Sequence, residues 1–231
     1  MSGRAGAAPP PGVLAAQVIV IAKEPMPGRV KTRLTPPFSF AQGALLAEAA
    51  LADTLAAAAA LPAARRVLAL AGAPGPWLPP GFDVTAQRGG GLDERLAHAF
   101  ADTYDGLPVP MVLIGMDTPQ VTPSLLAAAA EPLVTGKADA TFGPATDGGF
   151  WLLGLREPDP ALLVGVPMSR DDTGRHQLAR LTAAGLRVRA VPALTDIDTA
   201  REAELVAAGI PGSHFAAAFG AATARLAGAA R

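Results

Sequence analysis

The chain predicts an α/β protein, a mostly parallel sheet with helices on both faces in a single domain. Two observations carry this. Short apolar, β-branched runs alternate with longer alanine-rich segments along nearly the whole length. The chain has 231 residues, 50% of them hydrophobic, which is enough for one sizeable core.

Taken in order, Gln17 to Lys23 predicts a strand, Ala41 to Leu61 a helix, Arg66 to Ala71 a strand and Leu92 to Tyr104 a helix. Met111 to Gly115 then predicts a strand and Pro123 to Glu131 a helix. Ala138 to Phe142 and Phe150 to Leu155 follow as strands, Thr173 to Ala184 as a helix, and Arg187 to Val191 as a strand. Thr199 to Ala208 and Ser213 to Leu226 close the chain as helices. Gly72 to Gly81, with four prolines, is expected to be a surface connection. The short glycine-rich segment between the two strands after Ala138 predicts that one of them runs antiparallel or leaves the main sheet.

Composition narrows function. The formal net charge is −1, so there is no global field for nucleic acid or an anionic membrane, and an anion site must be a local cluster. Cysteine is absent, which excludes disulfides, thiolate nucleophiles and zinc-thiolate sites. Val13 to Ala22 is too short to span a membrane, and Ala44 to Leu61 is interrupted by Glu48 and Asp53, so no span is expected. Residues 1–16, where Pro9, Pro10 and Pro11 interrupt alanine and glycine, are expected to be a disordered tail rather than a secretory signal, and the cytoplasm is the expected location.

Four segments could carry chemistry. The first is Ala22 to Leu34, AKEPMPGRVKTRL, where prolines and Gly28 end a strand and deliver Lys23, Arg29, Lys31 and Arg33 at its C-terminal edge. Val30 precedes Lys31, so this is not a Walker A loop. Lys31 and Arg33 offer a point charge and a planar fork to phosphate oxygens, and a solvated basic turn is the bland alternative. The second is Ile114-Gly115-Met116-Asp117-Thr118-Pro119 at the end of an apolar run. Asp117 there could hold Mg²⁺ or Mn²⁺ against a diphosphate, or shape the turn and help cap the next helix.

The third is Gly143-Pro144-Ala145-Thr146-Asp147-Gly148-Gly149-Phe150-Trp151, where paired glycines allow a ligand to approach the main chain with Asp147 facing it. A plain Asp-Gly hairpin turn explains the same residues. The fourth is Gln87-Arg88-Gly89-Gly90-Gly91-Leu92-Asp93-Glu94-Arg95, which lacks the third glycine of a dinucleotide fingerprint and could be a flexible turn before a helix. Further on, Thr195-Asp196-Ile197-Asp198-Thr199 precedes a helix, and one of its aspartates, most plausibly Asp198, is expected to cap it. Asp171, Asp172 and Arg175 are expected to be a solvated helix start. His98, His176 and His214 are scattered, with no metal-ligand pairing and no G-x-S-x-G serine, so each is expected to be structural or exposed.

These motifs resemble a bacterial family of glycosyltransferase-A-like proteins of largely unassigned function. It lies within the nucleotide-diphospho-sugar transferase superfamily, which also contains molybdopterin and phospholactate guanylyltransferases. The resemblance covers most of Gln17 to Leu205 and implies a glycosyltransferase-A-like domain over residues 17–231.

In such folds the loop after the first strand wraps base and phosphates, which implies that role for Ala22, Lys23, Gly28, Lys31 and Arg33. The family's I-G-x-D-x-P, counterpart of an Asp-x-Asp metal motif, matches at Asp117. Thr195 to Thr199 resembles the D-x-D-T element that closes the metal site, implying Asp198 as ligand with Asp196 as rival. G-P-A-x-D-G-G-[YF] implies that Asp147, Gly148 and Gly149 lie on the acceptor side, Asp147 as base or sugar-binding carboxylate, with Lys31 the other expected catalytic residue. Q-x-x-G-D-L-G-x-R-[LM] implies nucleotide contacts from Gln87 and Gly90 and a stabilising role for Arg95, although Gly91 and Asp93 depart from it. Met168 and Arg170 depart where related chains carry tryptophan and threonine.

The implied activity is a metal-dependent transfer from a nucleotide-activated donor to a small-molecule acceptor. Glycosyl transfer from a nucleoside diphosphate sugar is the first reading, nucleotidyl transfer from a nucleoside triphosphate the second, and a non-catalytic nucleotide-binding domain the third.

Overall fold

A computed structural model describes residues 10 and 12–229. The expected tail, residues 1–16, falls largely outside them, but Leu14 to Ala16 already belong to the first strand. Among the described residues seven strands form one sheet: β1 (Leu14–Lys23), β2 (Ala63–Ala71), β3 (Asp83–Ala86), β4 (Met111–Gly115), β5 (Ala140–Pro144), β6 (Phe150–Leu155) and β7 (Val188–Ala190). Their order is β3-β2-β1-β4-β6-β5-β7. All neighbours are parallel except β6, which runs antiparallel to both β4 and β5. The short turn from β5 into β6 leaves no room for a crossover, so the reversal follows from its length.

Among the described residues six α-helices cover the sheet: α1 (Phe40–Ala60), α2 (Leu92–Gly106), α3 (Pro123–Val134), α4 (Thr173–Ala183), α5 (Ala200–Gly209) and α6 (His214–Ala229). Strand alternation decides which face each helix meets. Val18, Val20 and Ala22 pack with Leu51 and Leu55 of α1 and Leu126 and Leu133 of α3. Ile19, Leu113 and Leu153 face the other way, onto Leu96 and Phe100 of α2 and Leu181 of α4. A third cluster joins Leu46 and Ala50 of α1 to Val206 and Phe215 from α5 and α6. The alanine-rich α1 is therefore wrapped by apolar neighbours on two sides. By length and composition α1 could cross a membrane, yet 56% of its apolar window is buried inside the fold.

The unexpected element is β3. It has four residues at the sheet edge, mostly exposed, and lacks the period-two alternation that marks a half-buried strand. Pairing with Val67 to Leu70 of β2 makes it a strand, and its end aims the following loop, with Gln87, at the C-terminal edge of the sheet.

Gln17 interrupts the apolar run of β1 and is fully buried. Its Nε2 donates to the carbonyl of Leu107 at 2.7 Å, satisfying the C-terminal end of α2.

Phe100 is fully buried in the α2 face of the core. Phe100→Ala should cost about 3–5 kcal/mol, read as a lower denaturation midpoint at unchanged m-value.

Candidate functional site

β1 lies between β2 and β4, and the chain leaves it for β2 by way of α1, then returns to its other side through α2 and β4. At such a reversal the loops after the two central strands part and leave a crevice. There the structure has a cleft of about 830 Å³, lined by the loop after β1, the β3–α2 loop, the end of β4, the β5–β6 turn and the approach to α5.

The basic loop is shaped by Gly28, at φ +74°, and by Lys31, a non-glycine residue in the left-handed region at φ 48°. Immediately after it a short 3₁₀ turn, Thr32–Leu34, buries Leu34. Lys31 is thereby turned inward: its Nζ lies 2.7 Å from Asp117 Oδ2 and 3.1 Å from Asp198 Oδ1, with 9% of its side chain exposed. Burial alone would lower its pKa, but the two carboxylates more than offset this and raise it above the ordinary lysine value. Arg33 Nη1 reaches Asp198 Oδ2 at 3.1 Å from a largely exposed position.

Asp198 is free to make these contacts because it is not the helix cap. Thr199 caps α5, in a capping box with Glu202, and Glu202 Oε2 also accepts from the Asp198 backbone N–H at 3.0 Å. Capping needs a side-chain oxygen one residue before the first helical turn, and that position falls on Thr199. Likewise Thr122, not Asp117, caps α3. The segment carrying Asp196 and Asp198 is tied down at three points. Gln120 Nε2 donates to the Thr195 carbonyl at 2.8 Å, Thr146 N–H to the Leu194 carbonyl at 3.0 Å, and Ile197 N–H to the Asp117 carbonyl at 3.2 Å. Ile197 is buried in the α5–α6 cluster, which turns its two flanking aspartates into the cleft.

Asp196 has a buried Oδ1 without a hydrogen-bond partner. Burial, then the carboxylates of Asp117 and Asp147, push its pKa up to about 8. The two converging carboxylates of Asp117 and Asp198 are hard donors of the kind Mg²⁺ and Mn²⁺ prefer. Among the described residues no three His, Cys, Asp or Glu side chains sit close enough together to cage a metal. The donor set thus fits a cation whose remaining ligands are water and phosphate oxygens.

In the adjoining β5–β6 turn, Asp147 Oδ1 accepts from Gly149 N–H at 2.8 Å, which fixes the carboxylate. Gly148, at φ +90°, does not line the cleft; a Cβ there would collide with the Asp171 carbonyl. Its carbonyl accepts from Gly174 N–H at 2.8 Å, so its role is close packing against the start of α4. Gly28 also lies outside the cleft lining, and its contribution is the turn conformation.

Ala22, Lys23, Gln87, Gly90 and Gly149 line the cleft as expected, together with Lys31, Arg33, Asp117, Asp147 and Asp198. Gln87 spends its Nε2 on the carbonyls of Ala22 and Ala69, at 2.7 and 2.9 Å, leaving Oε1 for a ligand. Arg95 donates to the carbonyls of Gly89 and Gly90 at 3.3 and 3.4 Å, and so braces the glycine loop. Asp93 accepts from Gly165 N–H at 2.9 Å, which holds its pKa below the usual carboxylate value.

Residues that sequence reasoning left out also face the cleft: Thr32, Met116 and Ser169. Ser169, at φ 58°, carries a backbone strain that no composition signal reveals. Asp172 is less solvated than expected, pairing with Arg170, Arg175 and His176 at 3.0–3.1 Å. The histidines stay outside the cleft lining, His98 bound to the Arg88 carbonyl and His214 to Asp53.

A family model described as "Uncharacterized protein conserved in bacteria (DUF2064)" matches residues 44–170. A crystal structure from Desulfovibrio desulfuricans G20, described as a "putative nucleotide-diphospho-sugar transferase", superposes with TM-score 0.83 at 26% identity, covering 92% of this chain and 96% of that one. The 2-C-methyl-D-erythritol 4-phosphate cytidylyltransferase of Thermus thermophilus matches at TM-score 0.50 and 19% identity, covering 81% and 95%, and shares the fold. No curated protein sequence matches the chain.

Asp196 binds its proton more tightly folded than unfolded, so stability should fall as pH rises from about 4 to about 8. Asp196→Asn should flatten that decline and melt above the parent protein at pH 9, a difference that differential scanning calorimetry at pH 6 and 9 would detect. Gly148→Ala should cost at least about 2 kcal/mol, from the positive φ together with the collision, measured by chemical denaturation.

Proposed function

The chain belongs to the bacterial family DUF2064, and from that premise and the geometry of the cleft we propose that it is a metal-dependent transferase acting on a nucleotide-activated donor, with glycosyl transfer as its reaction. The observation that carries this reading is the convergence of Lys31, Arg33, Asp117 and Asp198 on one point at the sheet's C-terminal edge. Cations and carboxylates brought together in this way handle a charged diphosphate and its counter-ion. The likeness to the Desulfovibrio protein supports the choice of donor.

In this reading the donor's base lies toward Ala22, Gln87 and Gly90, where main-chain groups and the Gln87 Oε1 offer hydrogen bonds. Its phosphates meet Lys31 and Arg33, the first a compact charge and the second a fork that binds two oxygens at once. Asp117 and Asp198 would hold Mg²⁺ or Mn²⁺, which when bound offsets the charge growing on the leaving diphosphate. Asp147, fixed by Gly149 N–H, faces the acceptor from the β5–β6 turn. There its carboxylate either takes the proton of the attacking hydroxyl or binds a sugar hydroxyl.

Purified protein should bind a nucleoside diphosphate sugar only with Mn²⁺ or Mg²⁺ present, in a calorimetric panel across bases and sugars. Absence of any such binding would sink the proposal. In turnover assays, release of nucleoside diphosphate marks glycosyl transfer, whereas release of pyrophosphate from a nucleoside triphosphate marks nucleotidyl transfer. Asp117→Ala should lower turnover by about 100-fold or more with folding retained; full activity in that variant would mean that the carboxylate has no part in the chemistry.

A further inference from the structure

Lys31 stands where the proposed cation would stand. Its ammonium is 2.7 Å from one carboxylate and 3.1 Å from the other, distances at which the nitrogen fills the gap between the two oxygens. The position is built rather than incidental. Lys31 adopts a left-handed backbone conformation, at φ 48° and ψ 39°, that a non-glycine residue takes up at a cost. Its side chain is 9% exposed, so the charge has been taken out of water and aimed at a single pair of partners. Its carbonyl is packed close to α1 as well: a Cβ on Gly43 would lie 3.3 Å from it.

Resting on the metal-dependent reading above, we infer that Lys31 is an internal counter-ion that closes the two-carboxylate site and must be displaced for a divalent cation to bind there. Two positive charges cannot share the gap between Asp117 and Asp198, because a dication held by both oxygens would lie in van der Waals contact with the ammonium. A lysine driven from the gap needs another anion. The diphosphate of a bound nucleotide supplies one within the same cleft, and the flexible four-carbon stem of lysine permits the move while the backbone stays fixed. Cation and nucleotide should therefore bind with positive coupling, each improving the affinity for the other. Lys31 here is a positioning residue for the metal site, in addition to any contact it makes with phosphate.

The test is Mn²⁺ binding to nucleotide-free protein, followed by calorimetry and by electron paramagnetic resonance of the free ion. Lys31→Gln should bind Mn²⁺ about tenfold or more tightly than the parent, since the competing charge is gone. Equal or weaker binding overturns the inference while leaving the metal-dependent reading intact. If neither protein binds Mn²⁺, with or without GDP, UDP or CDP, the metal-dependent reading itself fails and this inference falls with it.

A second measurement uses the parent protein and so stands even if the variant does not fold. The chain has three lysines, Lys23, Lys31 and Lys137, so acylation by an amine-reactive ester can be followed at each by mass spectrometry. Saturating Mn²⁺ should speed acylation of Lys31 relative to Lys137. Bound Mn²⁺ with an unchanged rate at Lys31 would overturn displacement.

Discussion

The ammonium of Lys31 between the carboxylates of Asp117 and Asp198 is the interaction on which the cleft depends. Its partners are 86 and 167 residues away along the chain, so it draws together the loop after β1, the end of β4 and the start of α5. Lys31 could not remain charged there alone, because a buried charge without a partner is strongly disfavoured. The three segments hold one another in place, and Arg33 adds an outer contact that keeps Asp198 turned inward.

Everything around this contact serves to present it. Two apolar clusters on opposite faces of β1 and β4 keep the strands rigid, so their C-terminal ends are fixed points. A third cluster holds α5 and α6 against the outside of α1, and Ile197 inserts into it. That insertion converts a short polar segment into a rigid support for Asp196 and Asp198. The β5–β6 turn beside it is made differently. Asp147 is positioned by its own turn, through Gly149 N–H, while Gly148 allows the turn to lie against the first turn of α4. The cleft is thus shaped in part by long-range ion pairing and in part by local backbone geometry.

Much of this was legible from residue order. Strands β4 and β6 fall where the apolar runs place them, and α2 begins at Leu92 as the pattern predicts. Apolar periodicity is a local signal, and these elements satisfy it locally. β3 escaped because four exposed residues at an edge carry no such signal and become a strand through pairing with β2. The cap of α5 falls one residue later than the residue types suggest: aspartate is the better cap in isolation, and the choice of Thr199 was made by Lys31, which claims Asp198, and by Glu202, which completes the box with Thr199. Gly28 and Gly148 belong to the right segments, but they shape backbone and do not line the cleft. A motif marks where glycine is required without saying whether a ligand or a neighbouring carbonyl requires it.

By itself the sequence determined the α/β alternation, a break in the parallel order at β5 and β6, and the set of charged residues gathered near strand ends, because each of these depends on periodicity, turn length or residue type within a short window. Only the tertiary structure decided which charges meet. The basic loop and the acidic motifs were separate candidates for phosphate and for metal, and nothing local could show that Lys31 points into the gap between Asp117 and Asp198. That pairing depends on a left-handed residue, on a buried isoleucine between two aspartates and on a threonine that takes over the helix cap. Each is settled by packing among segments distant in the chain, where the balance of burial and charge is set by neighbours that no sequence window contains.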